Sequence, residues 1–148
     1  MEALMGAKEV EMRTVPLLLI AAAGLGSCAT ASPEQVAAAA ARDQAKLASL
    51  TAGKVAGPPM SCLSNWRSRD MVVVNENVVA FRDGRNRVYI NNMNGPCNGL
   101  GPMRGTLVTQ TTGTSLCRGD IAQVLDMTSR TNIGACSFGD FIPFTTGR

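Results

Sequence analysis

The sequence lacks histidine and has few aromatic residues. Without histidine, the commonest general base and metal ligand of proteins is missing, and every Ser-His or Cys-His triad is excluded. Aromatic residues make up only 4% of the 148 residues, and all of them follow residue 60, whereas 16 of the 19 alanines precede it. Since aromatic side chains dominate core packing, we expect one packed domain at 60–148 and a differently organised segment before it.

The sequence also lacks an apolar run long enough to span a bilayer. The run Val15–Gly26 has 12 residues, whereas a membrane-spanning helix needs about 20. Its length is typical of the apolar region of a signal peptide, and we expect a signal peptide at 1–27. Because Met1–Glu11 is acidic where such peptides are normally basic, we expect translation to start at Met12, followed by the basic Arg13.

The apolar run ends in a short motif, Leu25-Gly26-Ser27-Cys28. It resembles the lipobox of bacterial lipoproteins, in which a Leu stands three residues before a Cys and small residues lie between them. The resemblance implies diacylglycerol on the sulfur of Cys28, cleavage before this residue, and acylation of the new amine. Ala29 is not the Asp that retains such proteins in the inner membrane, so the resemblance implies the periplasmic face of the outer membrane. The alternative is a secretory signal cut near Ala29-Thr30-Ala31, which leaves a soluble periplasmic protein.

An alanine-rich helix is predicted in the lipidated linker at 28–59. Ser32-Pro33-Glu34-Gln35 has the pattern of an N-cap with a capping box, and Ala37–Ala41 extends the helix. Gly53 and the following prolines end it, so we expect a helix at Pro33–Leu50. We interpret it as a semi-rigid tether; docking on a partner or on the domain is the alternative.

Residues 60–148 predict an all-β domain, a small disulfide-stapled barrel or sandwich. Short runs rich in Val, Ile, Thr and Phe are separated by Gly, Asn and Pro, and none has a sustained helical period. The predicted strands are Arg69–Val74, Asn77–Arg82, Arg87–Asn91, Gly105–Thr111, Asp120–Met127 and Ser137–Phe144.

A hairpin is predicted around Asp83-Gly84. We favour a four-residue loop at Asp83–Asn86, because it pairs Phe81 with Val88 and Val79 with Ile90, so that apolar side chains face each other. The opposite face of this hairpin then carries Ala80, Arg82, Arg87 and Tyr89.

The β domain contains four of the five cysteines of the chain, Cys62, Cys97, Cys117 and Cys136. No two of them are separated by the two to four residues typical of zinc sites, so we expect no metal. An even number of cysteines in a small exported domain predicts two disulfides. Three connectivities are open. We favour Cys62–Cys136 with Cys97–Cys117, because the first bond would tie the entry of the domain to its last strand.

Short motifs follow one another in a defined order around these cysteines. In chain order they are Cys62, Arg67-Ser68-Arg69, Phe81-Arg82, Arg87-Val88-Tyr89, Cys97-Asn98-Gly99-Leu100-Gly101, Leu116-Cys117, Asp120 and Gly134-Ala135-Cys136-Ser137-Phe138-Gly139. This order is similar to a family of small exported proteobacterial proteins known only as a domain of unknown function. The resemblance covers about 62–144 and implies an exported disulfide domain, but no activity.

The charged residues of the β domain are nine arginines and six acidic residues, and the domain contains no lysine. Arg67 and Arg69 are expected to share one strand face, as are Arg85 and Arg87. Because guanidinium groups bind oxyanions in a fork geometry, these four are the candidate anion-binding residues. The alternative is a solvated face with Arg–Asp pairs. Nucleic acid is not expected as a partner, since one Trp and one Tyr provide no stacking platform.

No catalytic residues and no cofactor are predicted. Asp120 and Asp126 could share a strand face, yet they would be roughly 19 Å apart, too far for a cooperating carboxylate pair. The sequence therefore predicts a non-enzymatic lipoprotein of the cell envelope that acts as an interaction or structural module. Its partners would be a membrane, through lipid on Cys28, and an envelope protein, in an oligomeric state left open. The alternative is a periplasmic module that binds a small ligand or anion through its arginines.

Overall fold

The structure is a computed structural model that describes residues 31–101, 105–111 and 113–147. The predicted signal peptide, the start at Met12 and the lipidation residue Cys28 lie outside the described residues. The unit described below begins at Ala31.

One helix and ten strands follow one another along the described chain. Five of the six predicted strands coincide closely with strands of the structure. The sixth, Ser137–Phe144, covers the first part of β10 and the corner before it, and shares only Ser137 with β9. Four strands were not predicted: the three-residue strands β1, β2 and β7, and the six-residue β9. The elements are α1 Pro33–Thr51, β1 Lys54–Ala56, β2 Cys62–Ser64, β3 Met71–Val73, β4 Val78–Asp83, β5 Arg87–Asn92, β6 Gly105–Thr109, β7 Ser115–Cys117, β8 Ile121–Asp126, β9 Asn132–Ser137 and β10 Phe141–Thr146.

Helix α1 begins with the predicted capping box. The Ser32 hydroxyl accepts a hydrogen bond from the Gln35 backbone amide, and the Gln35 side chain accepts one from the Ser32 amide. The helix ends one residue later than predicted, before Gly53, which has a φ of +68°. No helix of the described residues combines the length and the apolar character needed to cross a bilayer.

The strands form three antiparallel sheets. The largest has the order β1-β10-β5-β4-β3, and the others are β2-β7 and β6-β8-β9. The predicted β-rich, disulfide-stapled class is confirmed. The closed barrel is not found among the described residues, because three separate sheets surround the core instead.

The β4–β5 hairpin differs from the prediction by one residue in register. Its loop has three residues, Gly84–Asn86, and Phe81 pairs with Tyr89. The four-residue loop was favoured because it set the apolar residues of one face against each other. In the structure both faces are buried: Val79, Phe81 and Tyr89 on one side, and Ala80, Val88 and Ile90 on the other. Because apolar side chains lie on both faces, the rule that apolar residues pair with apolar residues across the strands no longer selects one register.

The main core lies between the large sheet and the two smaller ones. Three phenylalanine rings, Phe81, Phe138 and Phe141, form its centre, with ring centroids 5.8 to 6.1 Å apart. Leu63 and Leu116 of the β2-β7 sheet and Leu107 and Val124 of the β6-β8-β9 sheet pack around them. The large sheet therefore rests on both small sheets through one continuous cluster.

The second core lies on the other face of the large sheet, under helix α1. Leu47 and Leu50 of the helix pack against Val74, Ala80, Val88 and Ile90. Two polar side chains of the helix also reach the end of β3 and the turn after it: Lys46 Nζ donates to the Val73 carbonyl, and the Asp43 carboxylate accepts from the side-chain amide of Asn75. The tether interpretation is thus corrected for this half of the helix, which docks on the sheet.

The described unit also begins earlier than residue 60. Strand β1, at Lys54–Ala56, pairs with β10 at the edge of the large sheet. The segment assigned to the linker therefore contributes both a strand and the cover of one sheet face. Its alanine-rich composition concealed this role.

The disulfide connectivity differs from the favoured one. Cys62 is bonded to Cys117 and Cys97 to Cys136, with Cα separations of 4.0 and 5.0 Å. Cys62 and Cys117 are directly paired across β2 and β7, a strand pair too short to be predicted. The second bond joins the loop after β5 to β9. Cys62–Cys117 therefore closes the β2-β7 sheet on itself, whereas Cys97–Cys136 ties the β6-β8-β9 sheet to the loop after β5, and neither bond reaches the last strand.

The two disulfides are expected to differ in reduction. Cys62 is exposed, whereas Cys97 is fully buried and Cys136 is 9% exposed. Because reduction needs access of an attacking thiolate, limiting reductant should open Cys62–Cys117 first. Alkylation followed by peptide mapping would show labels on Cys62 and Cys117 before the other pair. Mapping of the unreduced protein that joined Cys62 to Cys136 would contradict the structure.

Because only the second half of α1 docks on the sheet, substitutions along the helix should lower the free energy of unfolding by unequal amounts. Leu47→Ala should lower the free energy of unfolding by about 1–2 kcal/mol, since it removes part of a half-buried contact. Val36→Ala, on the exposed first half of the same helix, should change it by less than about 0.5 kcal/mol. Denaturant unfolding with the disulfides intact measures both, and equal effects would show that the helix is not docked.

Candidate anion-binding site

The four candidate arginines do not lie on two strand faces. Arg67 and Arg69 fall in the turn region between β2 and β3, because β3 begins only at Met71. Arg85 lies in the β4–β5 loop, and Arg87 begins β5. The expected strand-face pairs are therefore corrected.

Asp83 brings two of these arginines together. Its Oδ2 lies 3.6 Å from Arg67 Nε and 3.7 Å from Arg87 Nη1. Arg87 also donates to the Tyr89 hydroxyl, and this hydrogen bond is the main cause that raises the pKa of the Arg87 guanidinium above its ordinary value. One carboxylate thus faces two cations, which agrees with the alternative of Arg–Asp pairs for Arg67 and Arg87.

A cleft of about 410 Å³ lies where the end of α1 and the start of β1 meet the β4–β5 hairpin. We call it the basic cleft. The basic side chains that line it are Lys54, Arg82, Arg85 and Arg87, with no acidic side chain among its described lining residues. Ser49, Leu50 and Val88 complete the wall. Since α1 docks on the same sheet, the position of the cleft is fixed by the packing of the second core.

The cations of the basic cleft differ in how far they are engaged. Lys54 Nζ donates to the Leu50 carbonyl at 3.1 Å, near the negative end of the helix dipole. Arg82 forms a two-pronged pair with Asp70, with both contacts at 3.0 Å. Arg85 has no ion pair with any described residue. Arg85 is thus the cation of the cleft that is most available to a ligand.

The charge around the basic cleft is unbalanced. The four cations of the lining and Arg67 face two carboxylates, Asp70 and Asp83. This group carries a formal charge of +3, equal to the formal charge of the whole chain. The composition gives the net positive charge of the chain but not its position. In the structure, a cluster with the same net charge lies at this end of the hairpin.

Sequence reasoning identified Arg85 and Arg87 but missed Lys54 and Arg82 as members of one site. Lys54 falls in the predicted linker, and its place depends on the pairing of β1 with β10. Arg82 is predicted on the same hairpin face as Arg87 but is not one of the four candidate residues. No local signal could have joined these two residues, because the cleft is formed by segments that only tertiary packing brings together.

The acids considered for catalysis hold turns instead. Asp120 accepts a hydrogen bond from the Cys117 amide at 2.7 Å. Asp126 accepts from the amides of Thr128 and Ser129, each at 2.8 Å. In the described ranges, no three His, Cys, Asp or Glu side chains are grouped closely enough to hold a metal ion. What the basic cleft offers chemically is a set of positively charged donors, which suits binding of an oxyanion.

Comparison with known proteins gives a family and no activity. No curated protein and no solved structure matches the chain. Residues 11–138 match a family of unknown function, DUF6491. The matched range includes Leu25–Cys28, helix α1, all four cysteines of the two disulfides and the four basic residues of the cleft. The chain therefore belongs to DUF6491, a family of unknown function.

Proposed function

We propose that this protein is a non-enzymatic lipoprotein of the cell envelope whose β-rich unit acts as an interaction or structural module. The observation that carries the proposal is the pair of disulfides within one small unit. Disulfides persist in oxidising compartments outside the cytoplasm, which indicates an extracytoplasmic location. Export of the chain agrees with the apolar run at Val15–Gly26.

The fifth cysteine supports lipid attachment. The other four cysteines bond with one another, which leaves Cys28 as the one cysteine outside the two disulfides. It also ends the lipobox-like motif that begins at Leu25. Two or more acyl chains anchor a protein stably, whereas one gives only marginal binding, so lipidation of both the sulfur and the amine would be effective. With Ala29 at the next position, we place the protein at the periplasmic face of the outer membrane.

An exposed aromatic side chain supports the role of an interaction module. Trp66 is 58% exposed, and the guanidinium of Arg67 lies 5.1 Å from the centre of its ring. Trp and Arg are enriched among the residues that dominate protein–protein binding energy. A preformed Trp–Arg stack on a disulfide-stapled scaffold loses little side-chain entropy on binding, which favours an envelope protein as partner.

Intact mass measurement tests the anchor. Protein extracted from membranes should carry acyl chains on Cys28 and should lack four hydrogens, two for each disulfide. Cys28→Ser should abolish the added lipid mass and release the protein from the washed membrane fraction, because its acceptor sulfur is gone. A lipid-free Cys28 in the wild-type protein would contradict the lipoprotein and favour a soluble periplasmic form.

A second candidate function is binding of a small anion, and the basic cleft favours it. Four cations line one concave surface, and together with the neighbouring Arg67, Asp70 and Asp83 they give a local formal charge of +3, which creates a positive potential that attracts anions. Of the four arginines suggested by the sequence, only Arg85 and Arg87 belong to this site. Arg67 pairs with Asp83, and Arg69 does not line the cleft.

A panel of anions tests this second candidate. At constant ionic strength, at least one of acetate, citrate, sulfate and phosphate should raise the unfolding temperature of the wild-type protein in a saturable way, because a ligand that binds only the folded state stabilises it. The shift should be lost in Arg85→Ser. If no anion stabilises the protein beyond chloride, the anion-binding function is wrong, while the lipoprotein proposal is unaffected.

A further inference from the structure

We infer that the basic cleft is a phosphate site, which takes the phosphate group of an anionic lipid headgroup or of a soluble phosphate ester. The inference rests on the proposed anion-binding function and narrows its ligand to one chemical class. The residues it assigns are Arg85 and Lys54 as principal contacts, supported by Arg82 and Arg87.

The charge of the cleft matches a phosphate monoester better than a carboxylate. The cations and carboxylates around the cleft leave a formal charge of +3. A carboxylate ligand would neutralise one unit of it, whereas a phosphate monoester carries about 1.5 to 2 negative charges at pH 7. A phosphate monoester therefore relieves more of the repulsion among the cations than a carboxylate does, whereas the phosphodiester of a lipid headgroup carries one negative charge and is favoured over a carboxylate only by the arrangement of the donors.

The arrangement of the donors also fits a phosphate. The cleft gathers basic side chains from three strands and one loop: Lys54 begins β1, Arg82 and Arg87 lie in β4 and β5, and Arg85 lies in the loop that joins them. A single guanidinium satisfies both oxygens of a planar carboxylate. A tetrahedral phosphate points its oxygens in several directions and needs donors from several sides, which this lining provides.

The size and the apolar part of the wall fit an esterified phosphate. The cleft has a volume of about 410 Å³, within the usual range of about 300–1,000 Å³ for small-molecule sites. It therefore has room for a substituent beyond the phosphate itself. Leu50 and Val88 provide apolar surface beside the cations, against which the carbon atoms of a glycerol or sugar can pack.

The decisive measurement uses inorganic phosphate as probe. The full-length protein, purified from the envelope fraction in neutral detergent, is titrated calorimetrically with phosphate at pH 7 against chloride at equal ionic strength. We expect saturable one-to-one binding by the wild-type protein. Arg85→Ser should weaken it by about tenfold, the fold-change that corresponds to loss of one charge-assisted contact.

Arg69→Ser is the matched control. Like Arg85, Arg69 is exposed and has no ion pair with a described residue, but it does not line the cleft. Both variants remove one guanidinium and change the net charge equally, so long-range electrostatics affects them alike. Arg69→Ser should change the affinity for phosphate by less than about twofold. Lys54→Gln provides a second variant of the cleft, and an unchanged circular dichroism spectrum verifies that each variant is folded.

Competition experiments with two lipids distinguish a lipid headgroup from a soluble phosphate ester as the ligand. Neutral detergent micelles doped with phosphatidylglycerol should compete with inorganic phosphate if the ligand is an anionic headgroup, whereas phosphatidylcholine-doped micelles serve as the zwitterionic comparison. Competition that Arg85→Ser abolishes assigns a lipid headgroup. Phosphate binding without such competition assigns a soluble phosphate ester, here probed with glycerol 3-phosphate.

Other outcomes overturn the inference. If phosphate does not bind the wild-type protein, or if Arg85→Ser and Arg69→Ser weaken it equally, the basic cleft is not a phosphate site. Stabilisation by citrate or acetate without phosphate binding would sink the phosphate assignment while leaving the anion-binding function intact. An unmodified Cys28 would refute the lipoprotein proposal without changing any phosphate titration.

Discussion

The rest of the structure depends on one constraint: the β4–β5 hairpin buries apolar side chains on both faces. Phe81 and Tyr89 point to one side and Ala80, Val88 and Ile90 to the other. A sheet with two apolar faces needs a cover on each, since at about 25 cal/mol per Å² an uncovered face would forfeit much of the free energy that folds a small chain. The two small sheets cover the first face. Helix α1 covers the second, which explains why an alanine-rich segment with few large side chains still belongs to the unit.

The disulfides solve a problem that this arrangement creates. The β2-β7 sheet consists of two three-residue strands, and an isolated two-stranded ribbon is marginal in water. Cys62–Cys117 closes it across a directly opposed pair, so that Leu63 and Leu116 stay against the phenylalanine cluster. Cys97–Cys136 holds the loop after β5 against the edge strand β9. At Asn91, buried hydrogen bonds to the backbone of Gly139 complete the frame, and a Cβ at Gly139 would collide with the Asn92 carbonyl.

The features of the fold that depend on residues close together in sequence could be predicted, whereas those that depend on distant segments could not. The capping box at Ser32 and Gln35 is complete within four residues, so the start of α1 could be predicted from the sequence alone. The hairpin register could not, because a covered second face makes two registers equally apolar, and the cover is a helix some 30 residues away along the chain. The disulfide pairing failed for the same reason: the partner of Cys62 depends on β7, whose three residues carry no recognisable pattern. In the candidate site, Arg85 and Arg87 are close in sequence and could be predicted, whereas Lys54 is brought near them by the pairing of β1 with β10.

The unbalanced charge of the basic cleft is itself an argument for function. Exposed ion pairs contribute little to stability, and like charges held near one another lower it. A sequence under selection for stability alone would place a carboxylate beside Arg85, as it does beside Arg82 with Asp70 and beside Arg118 with Asp140. In other respects the unit is consistent with a stable small fold: its helix is capped, its core is aromatic and the four cysteines of the unit are bonded. Departures from such consistency are expected where a protein binds something. The basic cleft is such a departure, because Asp70 and Asp83 leave part of its positive charge unbalanced, and this is why we propose it as a ligand site.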